Sequence, residues 1–256
     1  MPRASVNGLE MYYEIHGEGQ PLVLLHGALS ATGTSFGTML PGLARSRQII
    51  AVEQQAHGHT ADVDRPLSIE QMAEDTVAVL GHLGIPRADL FGYSLGAGIA
   101  VQATLRHPGL VRKLVIACVT YDRAGFQPGL LDGIEALRPE LLVGTPWQME
   151  YAGIAPNPDD WTALVEKVKH LDGSFEGWTA GQIRSIEAPT MLIAGDSDIV
   201  RPEHAVEMFR LLGGGVEGDS AGLPRSRLAI LPGTTHTTMT ARGPWLVPMV
   251  EEFLDA

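Results

Sequence analysis

Two kinds of apolar pattern alternate along the chain. Short unbroken runs occur at 21–25 (PLVLL), 48–53, 88–93, 113–119, 190–194 and 227–231. Runs of this length without polar alternation predict strands covered on both faces. Between them lie longer stretches whose apolar residues recur at helical spacing. Residues 68–83 form the clearest of these, with Ser68 placed as N-cap, Gln71 at the capping-box position and Gly84 just past the last turn. Helices are also predicted at 95–107, 202–212 and 244–254. Asn7-Gly8, between Val6 and the run 9–15, is a two-residue hairpin signal. Strand–helix alternation of this kind predicts an α/β protein, a mostly parallel sheet with helices on both faces.

One segment departs from the rhythm. Residues 121–187 contain no strand-like run, and Trp147, Met149, Tyr151, Trp161, Phe175 and Trp178 all fall there. Lying between two predicted strands, it reads as a helical lid inserted into a core made of 1–120 and 188–256. The Gly-rich stretch 213–222 is expected to be a surface loop.

Length and composition narrow the picture without changing it. A chain of 256 residues with 45% hydrophobic residues suits one large domain with an insertion. The net charge of −12 argues against nucleic-acid or anionic-membrane partners, because phosphates need a basic surface. Cys118 is the single cysteine, which excludes an intrachain disulfide and a thiolate metal cluster. The opening MPRASVNGLEMYYEIHGEG has no signal-peptide core, and no apolar run is long enough to span a bilayer, so a cytoplasmic location is expected.

The chemistry concentrates where predicted strand meets predicted helix. Gly92-Tyr93-Ser94-Leu95-Gly96 follows the run 88–93 and opens the helix 95–107. A serine between two glycines at such a junction matches a nucleophile elbow, in which a sharp turn presents the hydroxyl at a helix N-terminus. A serine needs a base, and the base needs a carboxylate to orient it. His236, after the last predicted strand and before the last helix, is the expected base. Asp198, just beyond the run 190–194, is the preferred acid, with Asp196 and Asp122 as alternatives and Asp196 better suited to a turn. The oxyanion hole calls for two backbone donors. Leu95 N–H and Ala28 N–H, the latter in the loop after 21–25, are the candidates, and His26 is read as a residue that fixes that loop. His57-Gly58-His59 followed by Asp62 invites a zinc reading, but the further Asp-His pair that such a site needs is absent.

The stretches LLHGA, HGHTAD, FGYSLGAG, RHPGLVRKLVIA, LIAGDSDIVRP and LPGTTH together resemble the α/β-hydrolase fold superfamily, in particular its lidded esterase, lactonase and cofactor-free perhydrolase branch. Position by position, the resemblance implies Ser94 as nucleophile, Asp198 as acid, His236 as base, and Ala28 and Leu95 as oxyanion donors. No metal and no organic cofactor are expected. Two departures stand out: Glu53-Gln54-Gln55-Ala56-His57-Gly58-His59, where the family usually has Asp first and Arg-Gly-His-Gly later, and Thr235 before the histidine, where Gly is common. Both are expected to affect the pocket rim. The expectation is a serine hydrolase of neutral carboxylic esters or lactones, small molecules contacted by Trp147, Met149 and Tyr151, with no Lys or Arg cluster on the lid to receive an anion. Perhydrolase or haloperoxidase-like chemistry with the same triad, and a small-molecule binder with little turnover, are the alternatives.

Overall fold

The computed structural model describes residues 2–256. Eight strands, β1 (Arg3–Val6), β2 (Leu9–His16), β3 (Gln20–Leu25), β4 (Arg47–Val52), β5 (Ala88–Tyr93), β6 (Val111–Ala117), β7 (Thr190–Ser197) and β8 (Arg227–Thr235), form one sheet in the order β1-β2-β4-β3-β5-β6-β7-β8. The hairpin β1–β2 turns at Asn7 and Gly8, both with positive φ (48° and 82°), the conformation that Asn-Gly adopts at low cost. β2 pairs antiparallel with β4, and all remaining pairs are parallel.

The unbroken apolar runs are explained by what covers them. Leu22 and Leu24 face one core with Ile49 and Ala51, whereas Val23 and Leu25 face a second core with Ile50 and Val52. Each such side chain contributes about 1.5–3 kcal/mol by leaving water, so slipping a strand by one residue would exchange two complete sets of packing partners. One face is covered by α1 (Thr32–Phe36), α2 (Leu40–Leu43) and α11 (Gly243–Asp255). The other is covered by α3 (Ile69–His82), α4 (Leu95–Arg106) and α9 (Pro202–Leu211). Ser68 caps α3 by accepting from Gln71 N–H at 3.3 Å, as expected. The reciprocal half of the capping box is missing, because the Gln71 side chain donates to Asp75 instead.

Between β6 and β7 the chain adds α5 (Leu130–Glu135), α6 (Pro146–Ile154), α7 (Trp161–Gly173) and α8 (Ala180–Arg184), with 3₁₀ turns but no strand of the sheet. In the Gly-rich stretch after α9 lies a one-turn helix, α10 (Gly218–Ala221), where only loop was expected. No helix among the described residues is long and apolar enough to cross a membrane.

The sheet order reverses at β3, which has β4 on one side and β5 on the other. Loops leaving the C-terminal ends of β3 and β5 therefore diverge and open a crevice, the usual ligand position in an open α/β sheet.

Candidate active site

Ser94 joins β5 to α4 with φ 54° and ψ −118°, a strained conformation for a residue with a side chain. Its flanking glycines are sterically obligatory. A Cβ at Gly92 would lie 2.2 Å from the Gly96 carbonyl oxygen, and one at Gly96 only 1.9 Å from that of Leu25. The turn thus packs directly on the end of β3 and holds the hydroxyl out at the start of α4.

Two side chains from the far end of the sheet converge on that hydroxyl. His236 Nε2 lies 2.9 Å from Ser94 Oγ, and His236 Nδ1 lies 2.8 Å from Asp198 Oδ1. The Asp198 side chain is fully buried while that of His236 keeps 17% exposure, so the pair runs from the interior to the crevice. Burial works against the Asp198 charge, but the hydrogen bond and charge of His236, the Cys118 thiol and Gly195 N–H together hold its carboxyl below the usual range. Asp198 also accepts from Ile199 N–H at 2.7 Å, which fixes its rotamer. Nδ1 can then act as donor to Asp198, leaving Nε2 as acceptor from Ser94 O–H.

The other two aspartates have different work. Asp196 accepts from Gly233 N–H and Thr234 N–H at 2.9 and 3.1 Å, bracing the segment that leads into His236. Asp122 caps the 3₁₀ turn after β6 through Ala124 N–H.

Both candidate oxyanion donors, Ala28 N–H and Leu95 N–H, border the same cavity as Ser94, and neither donates to another group among the described residues. The loop carrying Ala28 is supported from behind. His26 accepts Gln54 N–H at Nε2 (3.0 Å) and places Nδ1 2.8 Å from Gly27 O. Burial, helped by neighbouring His57, keeps its imidazole neutral, with the pKa held down to about 3. Glu53 accepts from His59 N–H, from His59 Nδ1 at 2.9 Å and from Thr32 N–H at 3.3 Å. The unusual 53–59 stretch was expected to affect the pocket rim, yet none of it lines the cavity. It is a buried prop for the loop. His57 and His59 do not converge on one point: His57 Nδ1 is occupied by Gln55 O while His59 is tied to Glu53.

The cavity over Ser94 encloses about 350 Å³, at the small end of the usual ligand-site range of roughly 300–1,000 Å³. Its wall is mainly apolar and comes from both the sheet end and the segment between β6 and β7, including Leu142, Trp147, Val168, Leu171 and Trp178. Of the three expected substrate contacts only Trp147 is there. Met149 is 63% exposed on the opposite side of α6, and Tyr151 is buried against Trp161 with ring centroids 5.3 Å apart. Helical spacing accounts for both, since i+2 turns a side chain away and i+4 moves it one turn along.

Three wall residues went unnoticed in the sequence. Tyr93 donates from Oη to His236 O at 2.8 Å and so anchors the histidine loop. Cys118, at φ 59°, keeps its thiol protonated through burial and the adjacent Asp198 charge. Asp172, on α7, faces the cavity among apolar groups. The first sits inside the elbow motif, but nothing local marks the other two.

Comparison with known proteins agrees with this fold. The model of the family described as "Alpha/beta hydrolase family" matches residues 22–248. The chain is 26% identical over 268 residues to the serine hydrolase BPHL of Mus musculus, covering 98% of this chain and 85% of that one. It is 31% identical over 216 residues to the magnesium-chelatase 30 kDa subunit of Rhodobacter capsulatus, covering 73% and 74%. The solved enol-lactonase of Burkholderia xenovorans LB400 shares the fold with a TM-score of 0.75 at 18% identity, each chain being covered to 100%.

Proposed function

The chain belongs to the alpha/beta hydrolase family, and from that premise we propose that it cleaves neutral carboxylic esters or lactones through an acyl-enzyme on Ser94. The observation that carries this reading is the hydrogen-bonded line Asp198–His236–Ser94, with steps of 2.8 and 2.9 Å. In acylation Ser94 Oγ attacks the ester carbonyl carbon as its proton passes to His236 Nε2. Asp198 holds the imidazole in the required tautomer and stabilises the imidazolium that forms. The carbonyl oxygen gains negative charge and is received by Ala28 N–H and Leu95 N–H, two donors that need no reorganisation to accept it. When the tetrahedral intermediate collapses, the carbon–oxygen bond to the alcohol breaks and His236 returns the proton to the leaving oxygen. Water, deprotonated by His236, repeats the sequence on the acyl-enzyme and frees the acid.

Residues 121–187 serve as a lid on the 1–120 and 188–256 core. Its helices supply apolar wall above Ser94, excluding water and strengthening the oxyanion contacts. The same wall disfavours an anionic acyl or alkyl group, since its one lysine, Lys169, is already paired with Glu166 and an anion would lose its hydration without gaining a free partner.

Labelling with a fluorophosphonate and mass spectrometry of the adduct test the reading, together with hydrolysis of short p-nitrophenyl esters. Ser94 is the expected labelled residue, and Ser94→Ala and His236→Ala should each lower kcat by at least ~10³-fold in a folded protein. Undiminished hydrolysis by folded Ser94→Ala protein would overturn the assignment.

A further inference from the structure

Asp172 is the one carboxylate in the cavity wall, and the fold makes no evident use of its charge. It lies next to the last residue of α7, where the helix dipole disfavours an anion. Its carboxylate has no hydrogen-bond donor among the described residues. Desolvation raises its pKa to about 6, against the charge of His236, which favours the ionised form. The other ionisable group that α7 brings to the wall does not serve it: Lys169 Nζ lies 3.2 Å from both Glu166 carboxylate oxygens. A half-buried acid placed at the unfavourable end of a helix, without a donor, costs stability wherever it is charged. What it offers in return is an acceptor facing a largely apolar cavity that is also lined by Ser94 and His236.

We infer that Asp172 is a specificity-determining residue that selects substrates carrying a hydrogen-bond donor, a hydroxyl or an ammonium group, on an otherwise apolar acyl or alkyl chain. This rests on the hydrolase reading of the same cavity. Ser94, His236 and Asp172 line one cavity of about 350 Å³, and Asp172 is near enough to feel the His236 charge, so a molecule whose ester carbon meets Ser94 brings a neighbouring group to Asp172. With a methyl there, the carboxylate exchanges cavity water for an apolar group and gains no donor. With a donor there, the demand is met inside the low-dielectric cavity, and buried polar complementarity of this kind discriminates more strongly than a methylene does. A substrate carboxylate at the same position would be repelled.

The test compares esters matched in shape, ending in methyl, hydroxyl or ammonium, with the donor placed on the acyl chain in one series and on the alcohol in the other. For the wild-type protein, kcat/KM in one series should favour a donor-ended ester over its methyl isostere by about tenfold or more. Asp172→Leu should bring that ratio to one or below, and the shape-preserving Asp172→Asn should leave an intermediate value. The ammonium and hydroxyl arms tell charge pairing from a neutral hydrogen bond. Equilibrium binding of the same esters to Ser94→Ala protein, with and without Asp172→Leu, reads the preference without turnover, so failure of the hydrolase reading leaves this measurement standing. The Tm at pH 8 should rise in both Asp172 variants, because an unfavourable charge is removed. A donor-to-methyl ratio that is unchanged by Asp172→Leu in both measurements would overturn the inference, as would a Tm that falls in both variants, which would mark Asp172 as a structural residue.

Discussion

Around Ser94, the strain of the turn and the crowding about it are two aspects of one contact. The left-handed φ of 54° is tolerated because Gly92 and Gly96 let the turn close onto Leu25, the end of the strand that leads into the loop carrying Ala28. Gly96→Ala should therefore damage both the fold and the reaction. A methyl 1.9 Å from the Leu25 carbonyl oxygen forces the elbow away from β3, at a cost of about 3 kcal/mol or more. Urea unfolding should show the loss of stability and ester hydrolysis the loss of turnover; wild-type values for both would contradict the steric account. Gly98, two positions on, is a control. A Cβ there meets only side-chain carbons at 3.4 Å and beyond, so Gly98→Ala should be mild.

Among the elements, α6 is tied to the core by one charged side chain. Glu150 accepts from Ala31 N–H at 3.1 Å and Thr34 N–H at 3.0 Å, and it also receives the Thr34 hydroxyl. Ala31 is only three residues past Ala28, so this carboxylate steadies the loop that carries a proposed oxyanion donor. On the same side, Lys167 of α7 donates to Val63 O and Arg65 O and pairs with Asp62. Glu150→Ala leaves Thr34 N–H without an acceptor, a cost of about 1–3 kcal/mol if water cannot reach it, and leaves Ala31 N–H with only Thr34 Oγ1 at 3.2 Å. The expected result is a several-fold fall in kcat/KM with fluorophosphonate labelling of Ser94 retained, and partial recovery in Glu150→Gln. Unaltered kinetics in Glu150→Ala would separate α6 from the oxyanion loop.

For the molecule as a whole, acidification acts first through buried imidazoles. His26 and His57 ordinarily titrate near 6.5 but are held down to about 3 and about 4, chiefly by burial. Folded protein therefore binds fewer protons than unfolded protein below pH 6.5. Their contribution to stability is complete above that value and is lost as pH falls toward the folded values. Carboxyls raised by burial, among them Asp172 and Glu53, act with the opposite sign and partly offset the loss at lower pH. Comparison with a single variant isolates one imidazole. Between about pH 6.5 and pH 4, wild type should lose up to about 1.4 kcal/mol per pH unit relative to His57→Gln. Urea midpoints at pH 7.5, 6 and 5 read this difference, and a constant offset between the two proteins would show that His57 is not held neutral by the fold.

The chain's own pattern determined what depends on neighbours in sequence. Strand cores, the Asn7-Gly8 turn, the Ser68 cap and the glycine-flanked serine follow from periodicity, positive φ and local sterics, and each was legible in the sequence. Asp198 and His236 were also legible, because loops leaving the C-terminal ends of neighbouring strands are brought together by any parallel sheet. Tertiary structure alone decided the groups whose roles depend on what packs over them. Met149 and Tyr151 share α6 with Trp147, yet only the docking of that helix selects which side faces the cavity. Glu53, conspicuous in sequence as a departure near the rim, became a buried acceptor behind the oxyanion loop. Asp172 looked like one of many acids on an acidic surface until the packing of α7 turned it toward the apolar cavity and partly withdrew it from water. Burial of a charge arises between elements far apart in the chain, and no local pattern encodes it.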